Sequence, residues 1–327
     1  MDKKEVEPMK ILAPLCSINE VEGIIKAGAD EIYCGVIDNE INSKYNIPII
    51  NRRPYKTSNI DSFKELGEVI TRSHDLGVPV YVTLNEAVYT EKQYDFIEEN
   101  IEKLCELKAD AVIVADVGVL QFIKDKNYDI KVHISTCCST YNSEAVNFYK
   151  YMGACRIVLP RHMSIDEINR LKKSNPDMEY EILMLNTNCQ YDDGYCTYEH
   201  CLGNYSREIG YKGGGCGAIQ NMKMYCKKDA FKDGNAPDII GQYKKRQRSL
   251  PNTCGACGIK SIDLTDIDSF KIVGRSYVLK KKVKDVTFLY HVRNLIKENI
   301  GQATLKNEIK NIYKEIYNRD CEEKCFY

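Results

Sequence analysis

Residues 10–36 read KILAPLCSINEVEGIIKAGADEIYCGV, and this stretch contains the repeating unit of the fold. Two short apolar runs, KILAPL and EIYCGV, flank a segment of helical period, SINEVEGIIKAG. The helical segment opens on Ser17, a favourable N-cap residue, and closes on Gly28, a common residue at helix C-termini. A strand, a helix and a second strand in this order predict a βαβ unit whose strands run parallel.

The same alternation of apolar runs and helical segments continues through most of the chain. It predicts eight strands, at residues 10–15, 31–36, 78–85, 111–116, 131–136, 156–160, 181–186 and 269–275. Eight βα units favour a closed (β/α)8 barrel over an open doubly wound sheet, because no GxGxxG motif follows the first strand. We therefore expect an α/β protein with a TIM-like barrel over residues 1–300 and a helical tail over residues 301–327.

Two long segments interrupt this alternation. They span residues 37–59 and residues 187–262, and the second carries seven cysteines and several glycines. Loops of this length in a compact domain are usually functional or disordered. Both follow predicted strands, so both would project from the carboxyl-terminal face, where barrel enzymes place their active sites. We expect residues 187–262 to be a cysteine-rich, cluster-binding insertion between strands 7 and 8.

The composition describes a globular protein that can bury a full core, with 43% hydrophobic and 28% charged residues. A formal net charge of −1 argues against broad electrostatic attraction to nucleic acid. No stretch approaches the length of an apolar membrane span, and the N-terminal sequence MDKKEVEPMK lacks the apolar core of a signal peptide. We therefore expect a cytoplasmic protein that does not contact the membrane.

Several of the 15 cysteines are candidate metal ligands, because a reducing compartment favours metal ligation over disulfides. Four are distinguished by position: Cys189, Cys196, Cys216 and either Cys254 or Cys257. Iron–sulfur clusters accept such dispersed thiolates. Zinc is the alternative, but zinc sites usually use paired CxxC motifs, and only CGAC at 254–257 has that form. The spacing therefore favours an iron–sulfur cluster.

Cationic side chains follow two predicted strands. Arg161 and His162 follow the sixth strand, Arg275 ends the eighth, and Arg53 lies in the first long segment. The planar guanidinium binds carboxylates bidentately, so the arginines would hold a dicarboxylate or a phosphate, with His162 as an acid or base. The alternative is that each arginine pairs with an acidic neighbour such as Asp116.

Other side chains near strand ends are candidates for substrate contact. Tyr33 would donate a hydrogen bond or simply pack, and Asn85 and Asp116 would bind substrate or cap the following helix. Cys137 follows the fifth strand and would touch substrate or pack. Neither a GxSxG elbow nor an HExxH motif occurs, so two common hydrolase mechanisms have no motif support.

The sequence resembles the collagenase-like peptidase family U32. The family signature has Glu, seven residues, Cys, four residues, Gly, one residue and Cys, which here correspond to Glu181, Cys189, Gly194 and Cys196. The similarity extends over nearly the whole chain, through segments such as VPVYVTLN, DAVIVADVGVL, VLPRHMSIDEI and DSFKIVGR. One departure is Val273, which stands where the family commonly has an acid in KIEGR.

This resemblance implies a function and a ligand set. Family members include iron–sulfur proteins that support oxygen-independent hydroxylation of ubiquinone precursors or of tRNA and rRNA bases, and some take the oxygen atom from prephenate. The implied ligands of a 4Fe–4S cluster are Cys189, Cys196, Cys216 and Cys257, with Cys254 as the reserve for the last place.

Two other functions remain open beside the hydroxylase. One is proteolysis, with Cys137 or a metal-bound water attacking the peptide bond. The other is a non-catalytic, cluster-bearing partner subunit. The expected partners are accordingly a small-molecule, RNA or peptide substrate, and a partner subunit or a second copy of the chain.

Overall fold

The computed structural model of the protein describes residues 9–45, 51–53, 56–186, 192–195, 253–261, 267–298 and 300–322, together with 325 and 327. Eight parallel strands pair in chain order, and β8 pairs with β1 to close the barrel. The predicted TIM-like (β/α)8 fold is confirmed.

All eight predicted strands occur, and most end earlier than the sequence pattern suggested. The strands are β1 Lys10–Pro14, β2 Glu31–Cys34, β3 Val80–Leu84, β4 Ala111–Val114, β5 Lys131–Ile134, β6 Ala154–Val158, β7 Glu179–Leu185 and β8 Ser269–Ile272. Because β8 ends at Ile272, Arg275 lies in the loop that follows and not in the strand itself.

Helices connect the strands and cover the outside of the barrel. Those described are α1 Val21–Lys26, α2 Asn39–Tyr45, α3 Phe63–Asp75, α4 Tyr94–Glu106, α5 Val117–Lys126, α6 Ser143–Tyr151, α7 Ile165–Ser174, α8 Leu279–Ile296 and α9 Gln302–Tyr317. Ser17 accepts a hydrogen bond from the Asn19 N–H and caps a short 3-10 turn before α1. Side-chain N-caps at Ser62, Asn142 and Ser164 start α3, α6 and α7 in the same way.

Paired charges lie inside the barrel. Arg156 on β6 donates two hydrogen bonds of 2.8 Å to the carboxylate of Glu31 on β2. Lys271 on β8 forms a 2.6 Å ion pair with Glu181 on β7. All four residues are buried, and each charge faces a partner, as buried charges require. The Arg156–Glu31 contact joins strands that are not adjacent in the sheet, whereas the Lys271–Glu181 contact joins the neighbouring strands β8 and β7.

The C-terminal helix packs against the barrel through aromatic contacts with α8. Phe288 on α8 lies edge-on to Tyr313 on α9, with ring centroids 5.6 Å apart. Tyr317 on α9 donates a 2.6 Å hydrogen bond to Asp285 on α8. Within the described residues, none of the helices is both long and apolar enough to traverse a lipid bilayer.

Candidate functional site

A cavity of about 90 Å³ opens at the carboxyl ends of the barrel strands. Among the described residues, its walls carry five cationic side chains and a single carboxylate, that of Asp193. The lining residues are Tyr33, Arg52, Arg53, Thr83, Asn85, Ile113, Ser135, Thr136, Cys137, Val158, Arg161, Leu183, Asp193, Lys271, Val273 and Arg275. This excess of positive charge suits an anionic ligand. We refer to it as the mouth cavity.

Arg275 is buried in the mouth cavity and hydrogen-bonds to neutral groups. Its guanidinium donates to the Asn51 side-chain oxygen at 2.8 Å, the Thr83 hydroxyl at 3.0 Å and the Asn59 side-chain oxygen at 3.1 Å. Within the described chain, no carboxylate forms an ion pair with it. Burial lowers the pKa of Arg275 to about 10, because water and counter-charge are both scarce around it. A buried cation of this kind attracts an anion strongly.

Gly35, directly after β2, provides the space that Arg275 occupies. A Cβ atom at residue 35 would collide with the guanidinium of Arg275 and with the side-chain oxygen of Asn59. Tyr33, two residues earlier, lines the cavity and donates a 3.1 Å hydrogen bond to the Ile272 carbonyl. Burial raises the pKa of Tyr33 to about 12, so its hydroxyl remains a donor at neutral pH.

Arg161 is held by Asp193, which belongs to the described part of the cysteine-rich insertion. The two side chains form a bidentate contact, in which Nε donates to Oδ2 of Asp193 at 3.0 Å and Nη2 donates to Oδ1 at 2.9 Å. Thr136 donates a 3.3 Å hydrogen bond to the same carboxylate, and Arg52 donates to the Asp193 carbonyl at 3.0 Å. The acidic partner of Arg161 is therefore Asp193 and not Asp116, the partner suggested by the sequence.

The segment 192–195 docks onto the turn that follows β5. Ser139 and Tyr141 both donate hydrogen bonds to Asp192. Burial opposes ionisation of Asp192, but these hydrogen bonds outweigh burial and lower its pKa. A Cβ at Gly194 would collide with the Ser139 hydroxyl and the Cys137 carbonyl. This close approach gives a physical reason for the glycine at residue 194.

The structure brings most of the sequence-predicted site residues together. Six line the mouth cavity, and two do not. The six are Tyr33, Arg53, Asn85, Cys137, Arg161 and Arg275. The other two have separate positions: His162 is exposed in the turn after β6, and Asp116 caps α5 by accepting a 2.9 Å hydrogen bond from the Val119 N–H. Asp116 also accepts the Tyr89 N–H at 3.0 Å, which favours the capping alternative.

The lining residues that were not predicted include Thr83, Asp193 and Lys271. Thr83 and Lys271 lie on β3 and β8, and alternation along those strands was the signal that could have placed them inside the barrel. Asp193 directly precedes Gly194 of the family signature, but its partner in the loop after β6, Arg161, is not apparent from sequence spacing.

The predicted cluster ligands fall largely on residues without a described position. Cys189, Cys196 and Cys216 lie outside the described residues. Cys257 is half-buried and lines a second cavity with Cys254, apart from the residues that line the mouth cavity. In the described part of the chain, no three His, Cys, Asp or Glu side chains are already arranged to hold a metal ion. The four-cysteine ligand set therefore stays a prediction.

A closed parallel barrel with a cation-rich cavity at the carboxyl ends of its strands has the architecture of the (β/α)8-barrel enzymes. Within that class, the chain belongs to peptidase family U32, because the sequence model of that family matches residues 16–327. The solved structure of the U32 peptidase Mk0906 has the same fold: it covers 84% of this chain and 97% of its own, with 13% identity and a TM-score of 0.50.

Curated relatives have two kinds of names. The tRNA hydroxylation protein P of Haemophilus influenzae is 29% identical over 57% of this chain and 38% of its own. The 23S rRNA 5-hydroxycytidine C2501 synthase of Escherichia coli is 24% identical over 86% of this chain and 38% of its own. The uncharacterized protease MJ0090 of Methanocaldococcus jannaschii is 26% identical over 95% of this chain and 72% of its own. The chain thus spans about two fifths of the two RNA-hydroxylation relatives.

Proposed function

We propose that this protein is an enzyme of oxygen-independent hydroxylation that acts on an RNA base and uses an anionic organic acid as a further substrate. The names of the tRNA and rRNA hydroxylation relatives support the RNA base as the substrate class. The arrangement of cations in the mouth cavity supports the anion. A cytoplasmic location belongs to the same proposal.

The observation that carries this proposal is the environment of Arg275. The guanidinium is buried among the neutral side chains of Asn51, Asn59 and Thr83, and no described residue offsets its desolvation with an opposite charge. An anion in the mouth cavity would supply that charge. The family commonly has an acid at the position of Val273, and its absence here leaves Arg275 available to an external carboxylate or phosphate.

The small volume of the mouth cavity limits what enters it. A cavity of about 90 Å³ is far below the usual several hundred Å³ of a drug-sized ligand pocket. It would accept the carboxylate end of a small acid, or part of one base that has left its stack. The net charge of −1 is consistent with recognition of such an unstacked base and not of a long RNA backbone.

The cluster is the second part of the proposal. A 4Fe–4S cluster held by four thiolates would supply electron transfer close to the substrate. Within the described chain, Arg161 and Arg275 would orient the anion, and Tyr33 would supply a neutral hydroxyl at the cavity wall. Exposed His162 is the proposed acid or base and would act only on a substrate that reaches the rim.

The test is a nucleoside analysis of cells that lack the gene. We expect one modified nucleoside, heavier than its parent by one oxygen atom, to disappear from bulk tRNA or rRNA after deletion, under anaerobic growth. The wild-type gene should restore it, whereas Arg275→Gln and Cys189→Ala should not. An unchanged nucleoside profile, or full restoration by Arg275→Gln, would contradict the proposal.

Proteolysis is the second candidate, because Cys137 lies in the mouth cavity. Burial raises the pKa of Cys137 to about 11, which leaves little nucleophilic thiolate at neutral pH. None of the described residues lining the cavity is a histidine that would accept its proton. Cleavage of a fluorogenic collagen peptide that is lost in Cys137→Ser would favour the peptidase over the hydroxylase.

A further inference from the structure

Two tyrosine side chains lie exposed at the carboxyl-terminal face of the barrel, beside the mouth cavity. Tyr195 follows β7 and is 80% exposed, and Tyr141 lies between β5 and α6 and is 38% exposed. Loops that follow the strands of a closed parallel barrel all reach this face. Asp193 lines the mouth cavity and lies two residues before Tyr195, so the Cα atoms of these two residues are at most about 7 Å apart. We refer to Tyr141 and Tyr195 as the rim tyrosines.

One carboxylate holds both rim tyrosines. The Tyr141 hydroxyl donates a hydrogen bond to Asp192, and the backbone N–H of Tyr195 donates to the same side chain. Ser139 donates to it as well, and so does the Gly194 N–H, at 2.9 Å. Because these donors offset the charge of the carboxylate, Asp192 organises this part of the rim without presenting an uncompensated negative charge to a ligand.

These contacts fix the rim tyrosines before any ligand binds. The ring of Tyr141 is held at its backbone end and, through the hydrogen bond to Asp192, at its hydroxyl end. The backbone that carries Tyr195 approaches the cavity wall so closely that a Cβ at Gly194 would collide with the carbonyl of Cys137, a lining residue. Aromatic side chains that are already fixed lose little conformational entropy on binding, so they suit a binding surface.

The faces of the two rings are open to a ligand. Among the residues with a described position, no aromatic ring and no cation stacks on Tyr141 or Tyr195. Tyr151 provides the contrast: it is 77% exposed, but the Nζ atom of Lys124 lies 4.1 Å from the centroid of its ring. Single exposed aromatic residues are common on protein surfaces. Two fixed rings beside a cation-rich cavity are a more specific arrangement.

The cations of the mouth cavity complement the phosphates of a nucleic-acid strand. In the described part of the chain, one carboxylate stands against five cationic side chains in the cavity wall: Arg52, Arg53, Arg161, Lys271 and Arg275. Proteins that bind single strands combine a positively charged groove with aromatic rings on which bases stack. The cavity supplies the first of these elements, and the rim tyrosines beside it supply the second.

We propose that the rim tyrosines form a stacking surface for an unpaired RNA base that flanks the base entering the mouth cavity. This inference rests on the proposed RNA substrate and narrows it to a single-stranded loop or end, because bases in a duplex are covered by their neighbours. Every base has a π-face, so the contact adds affinity for unpaired RNA without selecting the identity of the flanking base.

The chain contains no tryptophan, so Tyr195→Trp introduces a single fluorescent reporter at this surface. Titration of the full-length variant with an unpaired RNA of about ten nucleotides should quench its fluorescence, because a base stacks on the indole ring. The same strand annealed to its complement should quench it much less. Tyr151→Trp is the matched control and should not be quenched, because Tyr151 is the last residue of α6 and lies towards the opposite face of the barrel.

Fluorescence anisotropy of the same RNA, labelled at one end, measures the affinity that the rings contribute. Tyr195→Ala should weaken the binding of unpaired RNA by about tenfold, whereas Tyr195→Phe keeps the ring and should bind like the wild type. Tyr141→Ala should also weaken binding, and Tyr151→Ala should leave it unchanged. Circular dichroism confirms that each variant is folded, which the exposure of Tyr195 favours.

Equal quenching of the two tryptophan variants, equal quenching by the duplex, or wild-type affinity in Tyr195→Ala would overturn the stacking surface. A fluorescence change with a collagen-like peptide and not with RNA would overturn it in favour of a peptide partner. These measurements need no catalysis and are therefore independent of the nucleoside analysis. A nucleoside lost on gene deletion without quenching would remove the stacking surface alone, whereas quenching with an unchanged nucleoside profile would support it and remove the hydroxylation.

Discussion

The carboxylate of Asp193 forms a bidentate ion pair with the guanidinium of Arg161 and thereby joins the cysteine-rich insertion to the loop after β6. Both side chains are mostly buried, with 13% of Arg161 and 11% of Asp193 exposed. Their contact places a negative charge beside a group that would otherwise be available to an anionic ligand. The carboxylate would therefore compete with the proposed anionic substrate for Arg161.

Removal of the Asp193 carboxylate and removal of the Arg161 guanidinium should have opposite effects on anion affinity. We expect Asp193→Asn to strengthen the binding of a small dicarboxylate and Arg161→Ala to weaken it, each by roughly tenfold, or about 1.4 kcal/mol. The dissociation constants can be measured by titration calorimetry of the wild type and both variants. A loss of affinity in both variants would show that the ion pair acts by positioning the insertion and not by competition.

Arg275→Gln should lower dicarboxylate affinity without lowering the free energy of unfolding. No described carboxylate pairs with this buried guanidinium, so replacing it with a neutral hydrogen-bonding side chain should leave the free energy of unfolding unchanged or increase it. Dicarboxylate affinity should fall at least about tenfold. Urea denaturation and calorimetry measure the two quantities. A variant that is destabilised yet binds normally would contradict this role.

Arg275 should also make anion affinity depend on pH in the alkaline range. Burial lowers the pKa of Arg275 to about 10, so its positive charge is present below that pH and is lost as the pH rises through it. Anion affinity should therefore decline between about pH 9 and 11. This decline should be weaker in Arg275→Gln, because the variant has no charge to lose at this position. A parallel decline in both proteins would assign the effect to another cation.

Cys137 should react slowly with alkylating reagents at neutral pH. Its pKa is raised to about 11 by burial, so its thiolate fraction at pH 7.5 is well below that of an ordinary thiol. Iodoacetamide labelling, followed by peptide mass spectrometry in a Cys138→Ser background, should give a rate that increases up to about pH 11. Labelling in denaturant provides the control rate of the exposed thiol. Fast labelling of the folded protein at pH 7 would restore Cys137 as a nucleophile.

Arg156→Met should destabilise the barrel by about 3–5 kcal/mol at neutral pH, because it leaves the buried carboxylate of Glu31 without its guanidinium partner. In the wild type, burial opposes ionisation of Glu31, but the hydrogen bonds and charge of Arg156 outweigh it and lower its pKa. Glu31 therefore adds stability above its unfolded pKa, and that stability is lost as the pH falls through the lower folded value.

In the Arg156→Met variant the pKa of Glu31 shifts in the opposite direction, because burial raises the pKa of a carboxylate that has lost its guanidinium partner. Its destabilisation relative to the wild type should be smallest near pH 4 and should increase towards pH 7. Urea denaturation across this range measures the difference. Glu106→Gln, at an exposed pair on α4, is a suitable control and should change stability by less than about 1 kcal/mol. A pH-independent loss in Arg156→Met would point to packing instead of charge.

The sequence predicted the barrel because its signal is local. Each strand is a short apolar run followed by a helical segment, as residues 10–36 illustrate, and eight such units leave few alternatives. Strand ends were less accurate, since the apolar pattern continues into residues such as Val273 that have already left the sheet. Val273 itself lies in the wall of the mouth cavity.

The candidate site was predicted only where it follows strand ends. Arg161 and Arg275 could be found because the carboxyl ends of all strands meet at one face. Asp193 could not, because its contact with Arg161 joins an insertion to a distant loop. The meeting of Cys254 with Cys325 depends in the same way on a bridge that tertiary folding creates.

The hydrogen atom that serves as the side chain of Gly35 has a consequence for how this site could diverge. The guanidinium of Arg275 lies where a methyl group at residue 35 would be, so even alanine there would displace the buried cation and the side chains of Asn59 and Asn51 that accept its hydrogen bonds. A homologue could thus lose its anion through a single codon change at a position that carries no chemistry of its own. When related chains are sorted by substrate, residue 35 should be inspected before the arginine it accommodates.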